Sequence, residues 1–212
     1  MSQPESLAEL LNGRRAAVDA TLPAAGFVLG WLLTGRSIWA GAGVAVACAL
    51  GICWWRLRQG DKPRAMLIGL LGVCVAATIA LYTGKAEDFF LLQLLSNAGA
   101  ALVWVISIVL RRPLLGLIVG GVLGQKTRWR RDPALLRSYG LASWIWVLQY
   151  VIRLAVFLPL YAAGAVVGLV AARIALTWPL IAACLAVSWW VIRRTLPADH
   201  PGLRHPAPSV IR

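Results

Sequence analysis

The sequence predicts an all-α integral membrane protein with six transmembrane helices and one short additional helix. Three observations predict this class. The 212 residues are 60% hydrophobic, only 14% are charged, and the mean hydropathy is +0.75. Soluble domains are typically about 45–50% apolar and about 25% charged. The apolar residues also gather in long uninterrupted runs, which is typical of membrane spans rather than of a soluble core.

Six apolar runs have about the 20 residues that a spanning helix needs. They are 16–34, 38–55, 65–83, 89–110, 139–161 and 166–192. A seventh run, 113–124, is about 18 Å long as a helix, whereas the hydrocarbon core is about 30 Å thick. A full span there would also place the basic C-terminal tail on the outer side, so we predict that this run is re-entrant or interfacial, with a kink or break at Pro113.

The flanking segments have different compositions. Residues 1–15 fit an amphipathic segment, opened by a capping box from Ser6 to Glu9. Arg14 and Arg15 directly precede the first apolar run, and the small-residue cleavage pattern of a signal peptide is missing there. This run is therefore expected to remain in the protein as a membrane anchor. Residues 16–194 form one polytopic membrane domain in this interpretation. Residues 195–212 are basic and rich in Pro, and are expected to be disordered.

The distribution of positive charge predicts the topology. With six spans, 17 of the 21 Lys and Arg residues fall on one side. Only Arg36 and Lys85 fall on the other, and Arg153 and Arg173 lie inside spans. Positive charge collects in cytoplasmic loops, so both termini are expected in the cytoplasm and the protein in the inner (plasma) membrane. No basic stripe is interleaved with aromatic residues, so the net charge of +13 does not predict a nucleic-acid partner.

Two intramembrane arginines are the most informative residues. Arg153 begins RLAVFLPLY and Arg173 begins RIALTWPLI, each six residues before a proline. A hairpin of the last two spans would place both at similar depth. A buried arginine costs at least a few kcal/mol unless it is paired or hydrated, so an anion, a carboxylate or water is expected nearby.

Further polar residues lie on faces of the predicted spans. Gln149 and Tyr150 share a helical face with Arg153, and Gln93 and Asn97 share one in the fourth span. Asp19, the one acid inside a span, is a candidate proton carrier or ligand. The candidate ligand-binding residues are Arg153, Arg173, Asp19, Gln149, Tyr150, Asn97 and Gln93.

Structural roles explain the same residues. The arginines can be buried ties or can extend to the headgroups, Asp19 can form an inner salt bridge, and the amides can join helices. Glu87 and Asp88 are alternative partners for Arg173. Glycines four residues apart, as at Gly26 and Gly30, predict close helix packing. Gly116, Gly120 and Gly124 repeat this spacing.

No catalytic constellation is visible in the sequence. The spans contain no His and no paired carboxylates, and the four cysteines lack metal-site spacing. We therefore predict no metal and no cofactor, and an enzymatic activity is less favoured than a non-enzymatic one.

Two stretches carry a family resemblance. VDATLPAAGFVLGWLLTG at 18–35 and the segment 111–164, with its RRPL and WRRDP pieces, resemble small multi-pass membrane proteins of actinobacteria. That family is catalogued as a domain of unknown function. Its layout is similar to that of intracellular septation protein A. The resemblance implies a polytopic inner-membrane protein and supplies no substrate or catalytic residue.

Three functions remain open from the sequence. The first is a transporter-like or channel-like bundle whose arginine-lined interior binds an anionic solute or lipid headgroup. The second is a non-catalytic membrane partner or scaffold in envelope growth or division. The third is an intramembrane enzyme acting on a lipid or isoprenoid. The lipid bilayer is the expected partner in all three, and the sequence leaves homo-oligomerisation open.

Overall fold

The computed structural model describes residues 21–60, 63–124 and 128–196 as helices joined by short turns, and these residues contain no β-strand. The predicted N-terminal segment, Asp19 and the tail beyond Leu196 lie outside the described residues. Residues 125–127 lie outside them as well.

Seven α-helices follow one another along the described chain. They are α1 (described over Thr21–Leu33), α2 (Ile38–Arg58), α3 (Pro63–Thr83), α4 (Leu91–Val109), α5 (Leu114–Val122), α6 (Pro133–Ala162) and α7 (Val166–Thr195). Two short 3-10 helices, Ala86–Phe90 and Arg128–Arg131, precede α4 and α6.

Five of these elements are long and apolar enough to cross a membrane. They are Ile38–Arg58, Met66–Thr83, Ala86–Val109, Pro133–Ala162 and Val166–Thr195. This agrees with five of the six predicted spans and is typical of a membrane protein. The described part of α1 has an apolar character over a shorter length. A helix of nine residues, α5, occupies the predicted 113–124 run, and its position relative to a bilayer stays a prediction.

The start of α6 differs from the predicted span. The apolar run begins at 139, but the helix begins at Pro133 because Asp132 caps it. Asp132 Oδ1 accepts hydrogen bonds from the backbone N–H groups of Ala134 at 3.0 Å and Leu135 at 3.2 Å. An acidic N-cap followed by proline is a favoured helix start. Arg137 therefore belongs to α6 and not to the preceding loop.

The chain forms two compact units. The first contains the residues up to Leu94 together with Val156–Thr177. The second contains Leu95–Ala155 together with the residues from Trp178 onward.

In the first unit, α1 and α2 pack closely at glycines. A Cβ atom at Gly30 would lie 2.9 Å from the carbonyl oxygen of Ala40, and one at Gly41 would lie 2.9 Å from that of Phe27. This confirms the predicted packing role of Gly30. The Phe27 ring in turn stacks on Phe89, with 4.2 Å between ring centres. Phe27 therefore takes part both in the close packing of α1 against α2 and in an aromatic contact with the 3-10 helix before α4.

In the second unit, three aromatic and five aliphatic side chains form the core. Its buried members are Trp104, Leu115, Trp129, Leu135, Tyr139, Ala142, Val147 and Ile192. Trp129 is fully buried and meets Tyr139 edge-on, with 5.6 Å between ring centres. Its ring fills the space beside Gly116, where a Cβ atom would lie 2.7 Å from two ring carbons. The predicted close packing at Gly116 is confirmed, and its partner is this indole.

A serine hydroxyl connects α4 to α5. Ser107 Oγ donates to the carbonyl of Trp104 at 2.7 Å and accepts from the backbone N–H of Leu114 at 3.3 Å. Arg111, in the turn between the two helices, has a positive φ of 53°. The first N–H groups of a helix have no partner within the helix, so the Ser107 hydroxyl satisfies one of those of α5.

Both prolines of the arginine motifs lie inside continuous helices. Pro159 is within α6 and Pro179 within α7. Each removes one backbone hydrogen bond from its helix, because proline has no N–H.

Candidate functional site

The candidate site is a polar face of α6 in the second unit. Trp146, Gln149, Tyr150 and Arg153 follow one another at helical spacing on this face, as the sequence predicts. Gln149 is only 3% exposed, and the other three side chains are half-buried. The Gln149 side chain therefore faces the interior of the second unit.

Two contacts fix the register of α7 against α6. Thr195 Oγ1 donates to Ser138 Oγ at 2.8 Å, and Cys184 Sγ donates to the carbonyl of Ile145 at 3.8 Å. The residue numbers rise along α6 as they fall along α7, so the two segments are antiparallel. Gln149 lies one turn beyond Ile145 and Arg153 lies two turns beyond it.

A stacked ring pair joins α4 to the same face of α6. The Trp104 and Trp146 rings are nearly parallel, at 8°, with 5.4 Å between their centres. Asn97 lies two turns before Trp104 on α4 and is 4% exposed. Offset stacking of aromatic rings contributes about 0.5–1.5 kcal/mol beyond the burial of their area, so this pair stabilises the contact between the two helices.

Several buried polar atoms of the second unit have no hydrogen-bond partner among the described residues. They are Gln149 Oε1, Asn97 Nδ2, Ser188 Oγ and Trp146 Nε1. Ser188, on α7, is 4% exposed. A buried polar group without a partner costs about 1–3 kcal/mol in proteins. These amide, hydroxyl and indole atoms are therefore candidates for contacts with a polar molecule.

The remaining predicted residues lie in the first unit or outside the described chain. Arg173 is half-buried on α7, on the helical face that also carries the buried Leu169 and Val170. Gln93 is half-buried, and its Oε1 accepts no hydrogen bond from any described residue. Asp19 lies outside the described residues. Arg153 belongs to the second unit and Arg173 to the first, so their pairing stays a prediction.

A second polar contact lies in the first unit. The Tyr161 hydroxyl donates a hydrogen bond to Asp88 Oδ1, and Asp88 is buried at the 3-10 helix before α4. A Cβ atom at Gly164 would lie 3.8 Å from Glu87 Oε1. The Tyr161 hydroxyl therefore has a buried carboxylate as its partner.

Sequence reasoning missed two side chains of the second unit. Ser188 was not singled out, although its spacing of four residues from Cys184 places both on one face of α7. Trp129 was not singled out either, because it stands among arginines, although it is a fully buried member of the core. The parts of the chain that the structure describes contain no group of three or more His, Cys, Asp or Glu residues arranged to hold a metal ion.

One family model matches the chain. It is described as a protein of unknown function (DUF3159), and the match covers residues 11–199. No curated protein and no solved structure matches the sequence. The family description names no substrate, partner or activity, so the functional argument depends on the geometry of the site.

Proposed function

We propose that this chain, which belongs to the DUF3159 family, is a transporter-like membrane protein that binds an anionic group inside its second unit. The binding residues in this proposal are Arg153, Gln149 and Asn97. The observation that carries it is the amide of Gln149, which is 97% buried, while its Oε1 has no partner in the described chain.

The three side chains offer complementary chemistry. Arg153 supplies positive charge and several N–H donors. Asn97 Nδ2 supplies a further donor, and Gln149 Oε1 an acceptor. A ligand that carries both an anionic oxygen and an O–H or N–H donor satisfies all three. Monoprotonated phosphate and hydroxylated carboxylates belong to this class. An anion beside Arg153 also offsets the cost of a guanidinium inside the membrane.

The helix geometry supports a common level for these residues. Asn97 lies seven residues before Trp104, and Arg153 lies seven residues after Trp146, which is the stacking partner of Trp104. Seven residues correspond to about 10 Å along a helix. An antiparallel arrangement of α4 and α6, which the predicted topology requires, brings Asn97 and Arg153 to the same height.

The proposal includes two charged residues outside this group. Arg173, which shares the sequence pattern of Arg153, is proposed as a second positively charged binding residue. Asp19, the one carboxylate within a predicted span, is the proposed counter-charge and proton carrier. An intramembrane acid of this kind would couple anion movement to protons.

The proposed membrane arrangement follows from the distribution of positively charged residues. It has six spans, the first of which is 16–34, and α5 is re-entrant or interfacial. Both termini lie in the cytoplasm, and the protein lies in the inner membrane. Topology reporters test this arrangement. Alkaline phosphatase fused after Lys85 is expected to be active, and the same enzyme fused after Gln59 inactive. The opposite pattern would contradict it.

Anion binding is tested on the full chain in liposomes. The probes are inorganic phosphate and a hydroxylated dicarboxylate, and the measurements are uptake and the shift in unfolding temperature. Arg153→Gln is expected to abolish both effects. Arg137→Gln is the matched control, because Arg137 is exposed on the same helix and the charge change is identical. That variant is expected to behave like the wild type.

Two results would overturn the proposal. One is a folded Arg153→Gln protein that takes up the anion at the wild-type rate. The other is a wild-type protein that no anion in a broad panel stabilises and that transports none of these anions. This result would favour a non-transporting role as a membrane partner.

A further inference from the structure

Two helices end in the same arrangement of tryptophan and arginine. The end of α2 reads WWRLR at 54–58, and the end of α7 reads WWVIRR at 189–194. In each, an arginine follows a tryptophan by four residues, which places the two side chains on one helical face. Arg58 Cζ lies 4.7 Å from the ring centre of Trp54. On α7 the contact occurs twice, at 4.8 Å for Arg193 over Trp189 and at 5.1 Å for Arg194 over Trp190.

These rings are not part of a core. Trp189 is 50% exposed and Trp190 is 56% exposed, and both arginines that lie over them are exposed. Exposed tryptophan at the end of an apolar helix is typical of the membrane–water boundary. The apolar side chains that precede them on α7, Leu185 and Val187, are exposed as well. The surface therefore changes from apolar to cationic within about two helical turns.

We infer that the C-terminal end of α7 binds the phosphate group of an anionic phospholipid, and that the end of α2 forms a second, weaker site of the same kind. An arginine lying over a ring contacts it through the flat face of the guanidinium. Its N–H groups point outward in the plane, which is the geometry that binds a phosphate with two hydrogen bonds. The tryptophan thus holds the arginine in the orientation that the phosphate needs.

The local charge favours this occupant. Residues 185–196 contain two arginines and no acid. The C-terminal end of a helix carries a partial negative charge, so the backbone there does not attract the phosphate. The arginine side chains are therefore the groups that attract it. The end of α7 has two arginine–tryptophan pairs, whereas the described residues at the end of α2 give one, Arg58 over Trp54. This is why α7 is the stronger of the two sites.

The occupant is a phospholipid and not free phosphate, because the cationic surface continues into exposed apolar residues. A headgroup phosphate at Arg193 and Arg194 brings its acyl chains alongside Leu185 and Val187. A free anion makes no favourable contact with these apolar side chains. This inference is independent of the proposed transport function, because it concerns neither Arg153 nor Gln149.

The test measures how many anionic lipids the full-length protein retains. The protein is placed in nanodiscs of phosphatidylcholine with a minor fraction of phosphatidylglycerol, and the lipids that remain after mild delipidation are counted by native mass spectrometry. The Arg193→Gln/Arg194→Gln variant is expected to retain phosphatidylglycerol roughly thirtyfold less well, since each of the two basic residues at a surface contributes about 1 kcal/mol.

The matched control is Arg111→Gln/Arg112→Gln. It also removes two adjacent exposed arginines from the second unit, and those arginines are not stacked on any tryptophan in the described chain. It is expected to change retention less than twofold. A Trp189→Leu/Trp190→Leu variant keeps the charge and is expected to reduce retention severalfold, because the arginines lose their support. Circular dichroism verifies that each variant is folded.

Three outcomes would overturn the inference. Equal losses in the two arginine variants would indicate a general effect of surface charge. An unchanged Trp189→Leu/Trp190→Leu variant would show that the ring contacts do not organise the site. Displacement of the lipid by millimolar inorganic phosphate would identify a simple anion site.

Discussion

The indole of Trp129 lies directly against the α-carbon of Gly116, so closely that a Cβ atom there would come within 2.7 Å of two ring carbons. The ring is fully buried and contacts Tyr139 edge-on, so it has little room to move. At Gly116, α5 therefore approaches the core of the second unit through its backbone.

Gly116→Ala is expected to destabilise the protein. Overpacking against a fixed ring costs about 1–3 kcal/mol, which exceeds the gain of up to about 1 kcal/mol from replacing glycine in a helix. Gly121→Ala is the control, because nothing lies within 4 Å of a Cβ atom at that position of the same helix. It should leave stability unchanged or raise it. Thermal unfolding in nanodiscs measures both, and a stabilised Gly116→Ala protein would contradict the assignment of this contact.

The glycines of α1 and α2 are expected to rank in a definite order. Gly30→Ala should destabilise most, because a backbone oxygen, that of Ala40, lies 2.9 Å from its Cβ position. Gly26→Ala should cost less, because its nearest neighbour is the Cys48 sulfur, which can rotate away. Gly43→Ala meets nothing within 4 Å and should be neutral or stabilising. Unfolding temperatures test the order, and equal effects at Gly30 and Gly43 would contradict it.

Tyr161→Phe is expected to destabilise the first unit by about 1.5–3 kcal/mol, the usual contribution of a hydrogen bond to a charged group. It removes the hydroxyl that donates to the buried Asp88. Tyr82→Phe removes a hydroxyl from a fully exposed ring and should change stability by less than about 0.5 kcal/mol.

A double-mutant cycle with Asp88→Ala separates this hydrogen bond from other effects. If the two substitutions simply add, Tyr161 and Asp88 do not interact energetically.

Gln149→Leu is expected to leave the stability of the anion-free protein unchanged or to raise it, because it removes a buried oxygen without a partner in the described chain. The same change should abolish stabilisation by the anion. Unfolding temperatures with and without the anion measure both effects. A variant that keeps the full anion-dependent shift would exclude Gln149 from the site.

Asp132→Ala is expected to cost about 1–2 kcal/mol, because it removes the cap of α6. Asp132→Asn should cost much less, since an asparagine oxygen can accept the same two hydrogen bonds from Ala134 and Leu135. Urea or thermal unfolding distinguishes the two variants. Equal losses would show that the charge of Asp132, and not its capping role, stabilises the helix.

The positions of the long helices could be predicted from hydropathy alone. The run 38–55 corresponds to Ile38–Arg58, and 166–192 corresponds to Val166–Thr195. This works because a span must be continuously apolar, and the sequence records that directly. The helix start at Pro133 was missed because it depends on capping by Asp132, which hydropathy does not measure, although Asp-Pro is itself a recognisable start.

The burial of Trp129 could not be predicted. Its neighbours in sequence are arginines, and it is buried because Gly116, thirteen residues away, leaves room for its ring. The site itself stays a prediction. Its residues Gln149 and Asn97 were identified as polar residues on helix faces, and both are buried. That Gln149 Oε1 and Asn97 Nδ2 also lack partners among the described residues depends on which groups the neighbouring helices present, and a single sequence does not show this.

The hydroxyl of Ser107 gives α5 a mechanical role. It holds the first turn of α5 to the turn of α4 that carries Trp104, whose ring rests on Trp146 beside Gln149. Leu115 and Gly116, in the same first turn of α5, pack against the core of the second unit. A force that lifts or tilts this short helix is therefore transmitted, through one hydroxyl and two indoles, to the polar face of α6.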